Sequence, residues 1–178
     1  LMTVTTLDPR TALVVIDLQK GIAGAPQAAP VVAHAVELAD AFRAAGQPVV
    51  LVNATGGAPG RTERPRPSAP RPEGWEIVLP ELGDGIRISK QTWGAFHNTH
   101  LHEALQDEGV TQIVLAGIAT SKGVESTARA AHEHGYNVTV ATDAVGDMDP
   151  EAHEHAIRTI FPALGETGTT SEIIALLP

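Results

Sequence analysis

Continuous apolar runs alternate along the chain with apolar positions at helical spacing. The first run, Thr11-Ala-Leu-Val-Val-Ile16, is the pattern of a strand covered on both faces within a parallel sheet. From Val31 to Ala45, Val32, Ala35, Val36, Ala39 and Phe42 recur at helical spacing, and Gly46 supplies the stop. Pro48 leads into a second strand, Val49-Val50-Leu51-Val52, ending at Asn53, and right-handed crossover geometry sets it beside the first. Ile86 to Ser89 reads as a short strand leading to Lys90. A helix follows from Thr99 to Glu108, with Leu101, Ala104 and Leu105 inward and Gly109 closing it. Asn137 to Ala141 is a further strand ending on Asp143, Pro150 to Ile160 a further helix, and Thr169-Thr170-Ser171 opens a last helix through Leu177. Strands alternating with helices along the whole chain predict a three-layer α/β fold with a mainly parallel sheet.

The stretch Gln112 to Ala130 stands at the centre of this pattern. Its buried run, Ile113-Val114-Leu115-Ala116, breaks at Gly117 and becomes a helix with Val124, Thr127, Ala128 and Ala131 on one side. Thr120 and Ser121 are good N-cap residues, and Glu125 suits the positive end of a helix dipole. Strand, tight turn and helix start in succession aim backbone N–H groups at a ligand, or make an ordinary β–turn–α connection.

From Thr55 to about Pro80 the pattern fails. GGAPGRTERPRPSAPRPEGW holds five prolines and four arginines, which leaves little room for helix or ladder hydrogen bonds. Such an insert in a compact domain is a lid or a spacer, and Trp75 is expected to dock part of it. The arginines form a solvated face or attract an anionic substrate.

Composition narrows the classes. The 178 residues fit a single domain, 1–178. Apolar content is 43%, and no apolar run is long enough to span a bilayer, so a soluble, cytoplasmic protein without membrane partners is expected. No signal-peptide pattern is read at the start, and Leu1 ahead of Met2 is expected to be a remnant, with Met2 the initiator. A net charge of −9 argues against a nucleic-acid surface. The chain has no cysteine, so disulfides, thiolate metal sites and a cysteine nucleophile are excluded.

In a parallel sheet the strand C-termini gather at one edge, where ligands bind. Asp17, Asn53, Lys90, Gly117 to Gly123 and Asp143 are expected there. A carboxylate and an ammonium from two strand ends, Asp17 and Lys90, can share a proton network tuned for acid–base work. Each taken alone has a plainer reading, since an Asp after a strand often caps a helix and a Lys is usually solvated. The histidine pairs His132/His134 and His153/His155, at i,i+2 spacing on helices, read as surface residues.

The segments LVVIDLQKGI, ISKQTWGAF and LAGIATSKGVESTARAA, in this order from Thr11 onward, resemble the three signature segments of the isochorismatase-like hydrolases. That resemblance implies a Rossmann-like α/β/α domain with a six-stranded sheet, a small-molecule substrate, no cofactor, and assembly as homodimers or homotetramers. It implies that Asp17 is the catalytic aspartate and Lys90 the catalytic lysine. It also implies a cis peptide at Ile118–Ala119 and an oxyanion hole from the backbone N–H groups of Ala119 and Gly123. Assembly has a second basis, since the apolar Val31–Ala45 helix and the Trp75 region offer more apolar surface than one core needs.

The departure is at Gly123, where the amidase members carry their cysteine nucleophile; Ser121 and Lys122 do not stand in for it. A cysteine-free branch cleaves vinyl ethers, the aspartate acting as general acid, and Gly123 is compatible with that chemistry. The metal ligands of the nicotinamidases are absent after the second strand, where Asn53-Ala-Thr-Gly stands, so no metal is expected. Lys122 either recognises a carboxylate at the site mouth or lies in solvent. Two functions follow: a hydrolase with Asp17 as acid–base, Lys90 tuning it, and Gln19, Asn53, Trp93, Phe96, Ile118, Thr120 and Lys122 around the substrate, or a ligand-binding member without chemistry.

Overall fold

The computed structural model describes residues 3–178; Leu1 and Met2, and the expectation attached to them, lie outside the described residues. Six strands form one parallel sheet in the order β3-β2-β1-β4-β5-β6. These are β1 (Thr11–Ile16), β2 (Val49–Ala54), β3 (Ile86–Lys90), β4 (Gln112–Ile118), β5 (Asn137–Gly146) and β6 (Glu166–Gly168). The helices are α1 (Lys20–Ala23), α2 (Ala29–Ala44), α3 (Leu101–Asp107), α4 (Glu125–Glu133), α5 (Pro150–His155), α6 (Phe161–Leu164) and α7 (Thr170–Ala175).

Side chains of β1 alternate between two cores because successive Cβ atoms point to opposite faces. Ala12, Val14 and Ile16 join Leu101, Leu105, Val124, Ala128 and Phe161 on one face. Leu13 and Val15 join Ala35, Leu38, Ala39, Phe42 and Ile173 on the other. Helices therefore cover both faces, which is why β1 and β4 are apolar at nearly every position.

Four differences from the sequence reading have local causes. β5 does not stop at Asp143 but runs on to Gly146, pairing again with β4 after a register shift between Leu115 and Gly117. The segment expected as one helix from Pro150 to Ile160 divides at His155, widens over Ala156–Ile160 and resumes as α6. α4 has no side-chain N-cap from Thr120 or Ser121, because a wide turn over Thr120–Val124 precedes it and both hydroxyls are bonded elsewhere. The apolar surface credited to α2 and Trp75 is partly used within the chain: Val32 and Val36 pack half-buried on the core, and Trp75 lies against Gly21.

Between Thr55 and Ile77 the chain forms neither helix nor strand, and residues 61–73 are exposed, the four arginines included. Both ends of this strap are fastened. The Thr55 N–H donates to Lys90 O at 2.8 Å, and Val78 forms an isolated antiparallel bridge with Gln19. Arg71 lies over the Trp75 ring, its guanidinium carbon 3.8 Å from the centroid. Among the described residues no helix is long and apolar enough to cross a membrane.

Candidate active site

The candidate site is built on the ends of β1, β3, β4 and β5. β1 and β4 approach closely at this edge because Gly117 has no side chain, and a Cβ there would lie 2.0 Å from the Ile16 carbonyl oxygen. Gly117 also has φ of 124°, outside the range of ordinary residues. One residue beyond β1, Asp17 has φ of 55°, a left-handed conformation that turns the chain sharply off the strand. Its N–H still donates to Val52 O at 2.9 Å, so its position is fixed by β2.

The Asp17 carboxyl meets the Lys90 ammonium, which is carried two strands away on the end of β3. Lys90 Nζ donates to Asp17 Oδ2 at 2.9 Å and to the Thr92 carbonyl oxygen at 2.9 Å. Both residues are buried, Asp17 to 7% exposure and Lys90 to 3%. Asp17 Oδ1 has no hydrogen-bond partner. Burial pushes the Asp17 carboxyl above its ordinary value; the Lys90 charge and hydrogen bond pull it back without cancelling that rise.

The turn after β4 closes the site from the other side. The Ile118–Ala119 peptide is cis. The Ala119 carbonyl accepts from Lys122 N at 3.1 Å and from Val124 N at 3.2 Å, which folds the wide turn around Gly123. A Cβ at Gly123 would sit 3.5 Å from Asp17 Oδ2, 3.3 Å from the Trp93 carbonyl oxygen and 3.0 Å from Ile16 Cγ2. Position 123 therefore abuts the Asp17 carboxyl, and the space beside it is narrow.

Two residues outside the sequence candidates pin this turn. Asp147, just past β5, accepts from Ser121 N at 2.8 Å and Ser121 Oγ at 2.6 Å through Oδ2, and from Asp149 N at 3.0 Å through Oδ1. Burial works against its charge, but these hydrogen bonds and the Lys122 charge outweigh burial and hold the carboxyl below its ordinary value. His153 on α5 bonds to Thr120 Oγ1 through Nδ1 at 2.8 Å. The surface reading of His153 is thus corrected: the helix turns it inward onto a buried threonine. His132, His134 and His155 are exposed. The apolar Ala144-Val145 pair beyond Asp143 was the sequence signal that the strand runs on toward Asp147.

Several sequence candidates have their side chains engaged within the chain. Gln19 is fully buried and serves as a clamp, its Nε2 donating to Ala54 O and Trp75 O while its Oε1 accepts from Ala54 N. Its amide is therefore occupied within the chain. Asn53 is likewise engaged, donating to Glu76 O and accepting from Ser89 Oγ. Phe96 points away, stacking 5.0 Å from the His134 ring and 5.9 Å from Tyr136, which lies just before β5 at the opposite edge. The Trp93 indole is 59% exposed, and only its backbone carbonyl borders position 123. Ile118 packs on the α2 side of the core, Thr120 faces His153, and Lys122 is exposed. Asp143 is taken up in fastening α7, accepting from Thr170 N and Oγ1 at 2.8 Å each.

A cleft of about 320 Å³ opens at the opposite edge, lined in part by Asp8, Gln112, Tyr136 and Asn137. Its polar side chains satisfy one another, Asp8 with Thr111 and Asn137, and Gln112 with Thr139. It contains nothing comparable to the unpartnered Asp17 oxygen.

The sequence matches the isochorismatase domain model over residues 11–172. The chain is 42% identical to the isochorismatase family protein YwoC of Bacillus subtilis, with 93% of each chain covered. It is 33% identical to streptothricin hydrolase of Streptomyces noursei, over 83% of this chain and 58% of that one. The solved structure of an isochorismatase family protein from Burkholderia thailandensis superposes with a TM-score of 0.92 at 40% identity, covering 97% of both chains. With its parallel six-stranded sheet, its helices on both faces and a match over nearly its whole length, this chain belongs to the isochorismatase-like hydrolase superfamily.

Proposed function

We propose that this protein hydrolyses a small molecule by proton transfer through Asp17, without a covalent intermediate, and that its substrate is a vinyl ether of the isochorismate type. One observation carries this reading: a buried carboxyl, raised above its ordinary value, is held by an ammonium through one oxygen while the other has no protein partner. A carboxyl so placed keeps its proton to higher pH than an exposed aspartate and can deliver it to a reacting carbon. The family supports a hydrolase, and the absence of cysteine from the chain removes the thiol route.

In such a reaction Asp17 gives its proton to the terminal carbon of the C=C–O unit. The positive charge left on the oxygen-bearing carbon is quenched by water, whose proton returns to the Asp17 carboxylate. The resulting hemiketal separates into a ketone and an alcohol. Lys90 holds the carboxylate in place between the two proton transfers, and Gly123 supplies room beside it.

The test is a hydrolysis screen of vinyl ethers, amides and esters with the parent and its Asp17→Asn form. Turnover of a vinyl ether by the parent and its loss in the variant supports the reading. Equal turnover by both rules out Asp17 as the proton donor, and no turnover of any class favours a ligand-binding role.

A further inference from the structure

Among the described residues, only two buried side-chain polar atoms have no hydrogen-bond partner, Asp17 Oδ1 and Thr92 Oγ1. Both belong to residues gripped by the same ammonium, since Lys90 Nζ donates to Asp17 Oδ2 and to Thr92 O. An ammonium has three N–H donors, and these two bonds use two of them. A carboxylate oxygen, a hydroxyl and a third N–H on these three linked residues are thus without protein partners. Leaving buried polar atoms unpaired is costly, so two on neighbouring residues point to a shared partner such as an ordered water. Position 123 borders the same group, its missing Cβ lying 3.5 Å from Asp17 Oδ2 and 3.3 Å from the carbonyl of Trp93, the residue after Thr92.

We infer that Thr92 is a positioning residue for the hydrolytic water, which its hydroxyl holds against Asp17 Oδ1 beside the Lys90 ammonium. The water accepts from the Thr92 hydroxyl or from the third Lys90 N–H and donates one proton to Asp17 Oδ1. Once Asp17 has delivered its own proton to substrate, the water oxygen bonds to the oxygen-bearing carbon. The proton it loses passes to the carboxylate it already touches, which restores the acid. Thr92 exchanges no proton itself. It fixes the water at the Asp17 oxygen that Lys90 does not hold. The kinetic part of this inference rests on the proposed reaction, whereas the hydrogen bonding around Asp17 does not.

The experiment uses two replacements of nearly equal size, Thr92→Val, which removes the hydroxyl, and Thr92→Ser, which keeps it. The first readout needs no substrate: the titration of the Asp17 carboxyl followed by carbon NMR in the parent and both variants. Thr92→Val is expected to displace that titration upward, because a hydrogen bond to the charged carboxylate is weakened with the water. Thr92→Ser is expected to leave it near the parent. An unchanged titration in Thr92→Val, or equal displacement in both variants, overturns the inference. With whatever substrate the screen finds, Thr92→Val should lower kcat by about 10 to 100-fold with KM within about threefold, and Thr92→Ser should restore kcat. Parent-like kcat in Thr92→Val, or a loss in KM alone, also overturns it. If the screen finds no substrate, the reaction reading fails while the titration still decides the placement of Thr92.

Discussion

Asp17 and Asp147 are both carboxylates just beyond strand ends on the same edge of one sheet, yet their surroundings drive them in opposite directions. Asp147 spends both oxygens on hydrogen bonds, two from Ser121 and one from Asp149, and is held below its ordinary value. Asp17 receives one charged donor, keeps one oxygen unpartnered, and is raised by burial. The difference lies in what each group is equipped to do. A fully satisfied, partly exposed carboxylate is a stable anion and serves as a pin for the turn at Thr120–Val124. A buried, half-satisfied one is a proton store, because its neutral and charged forms lie closer in free energy.

The largest expected effect comes from removing the acid of the buried member of the pair. Asp17→Asn removes the proton donor while keeping the side-chain shape, and kcat should fall by about 10² to 10⁴-fold, the usual worth of general acid–base catalysis. Steady-state kinetics with the screened substrate is the measurement, with thermal unfolding alongside to confirm a folded variant. In the parent, kcat/KM should be highest where Asp17 is protonated and fall as pH rises through its raised pKa, later than for an ordinary aspartate. The stability sign matches. Because the folded protein holds this proton more tightly than the unfolded chain, Asp17's contribution to stability declines as pH rises through its folded pKa.

Gly123→Ala sharpens the same comparison from the side of space. The glycine has no positive φ, so an alanine meets no backbone penalty, only Ile16 Cγ2 at 3.0 Å and the Trp93 carbonyl oxygen at 3.3 Å. Overpacking of that kind costs about 1–3 kcal/mol, and displacement of the Trp93 backbone would carry Thr92 with it. A loss of about tenfold in kcat is expected, with a lowered melting temperature. Parent-like kinetics would show that the space at position 123 is not part of the reaction.

Asp147→Asn addresses the pin. Asparagine retains one acceptor oxygen but no charge, and loss of charge-assisted bonds on a half-exposed group is expected to cost about 1 kcal/mol. Its folded pKa is lowered, so Asp147 contributes stability above its unfolded value near 3.8, and that contribution is lost as pH falls through the folded pKa. The difference in melting temperature between parent and Asp147→Asn should therefore shrink on acidification in this low range. A constant difference would assign the effect to packing.

Legibility in the sequence followed the same divide between strand ends and side-chain directions. β1 and β4 were readable because a strand covered on both faces must be apolar throughout. β6 was not located, since Glu166-Thr167-Gly168 is a three-residue edge strand with no apolar signal. Asp17 and Lys90 were identifiable as strand-end residues, and their resemblance to the family's pair directed attention to them. Gln19 and Phe96 were placed around the substrate, and Asp143 at the strand-end edge, without sight of their partners, because nothing local reveals which neighbour captures a side chain. Gln19 is claimed by the end of β2, Phe96 by Tyr136 and His134, and Asp143 by Thr170. Asp147 and Thr92 were overlooked, and His153 was read as a surface residue, for the same reason: each acts through a partner distant in sequence or through an atom whose direction only the fold sets.

The smallest effect is expected at Lys122, and it separates two readings of the turn. Its side chain is exposed, and its charge makes the smallest contribution to lowering the Asp147 pKa. If that is its whole role, Lys122→Met should change stability by less than about 0.5 kcal/mol, as surface substitutions usually do. Raising the salt concentration should shrink even that difference, because exposed charges are screened over roughly 8–10 Å. The Asp147 titration should move slightly upward, while kcat and KM stay within about threefold of the parent. A Lys122 that instead gripped a substrate carboxylate would announce itself differently, through a KM raised about tenfold or more at unchanged kcat, since it would supply binding common to ground and transition states. Measured on one variant, KM against the Asp147 titration tells whether this cation serves the pin or the substrate.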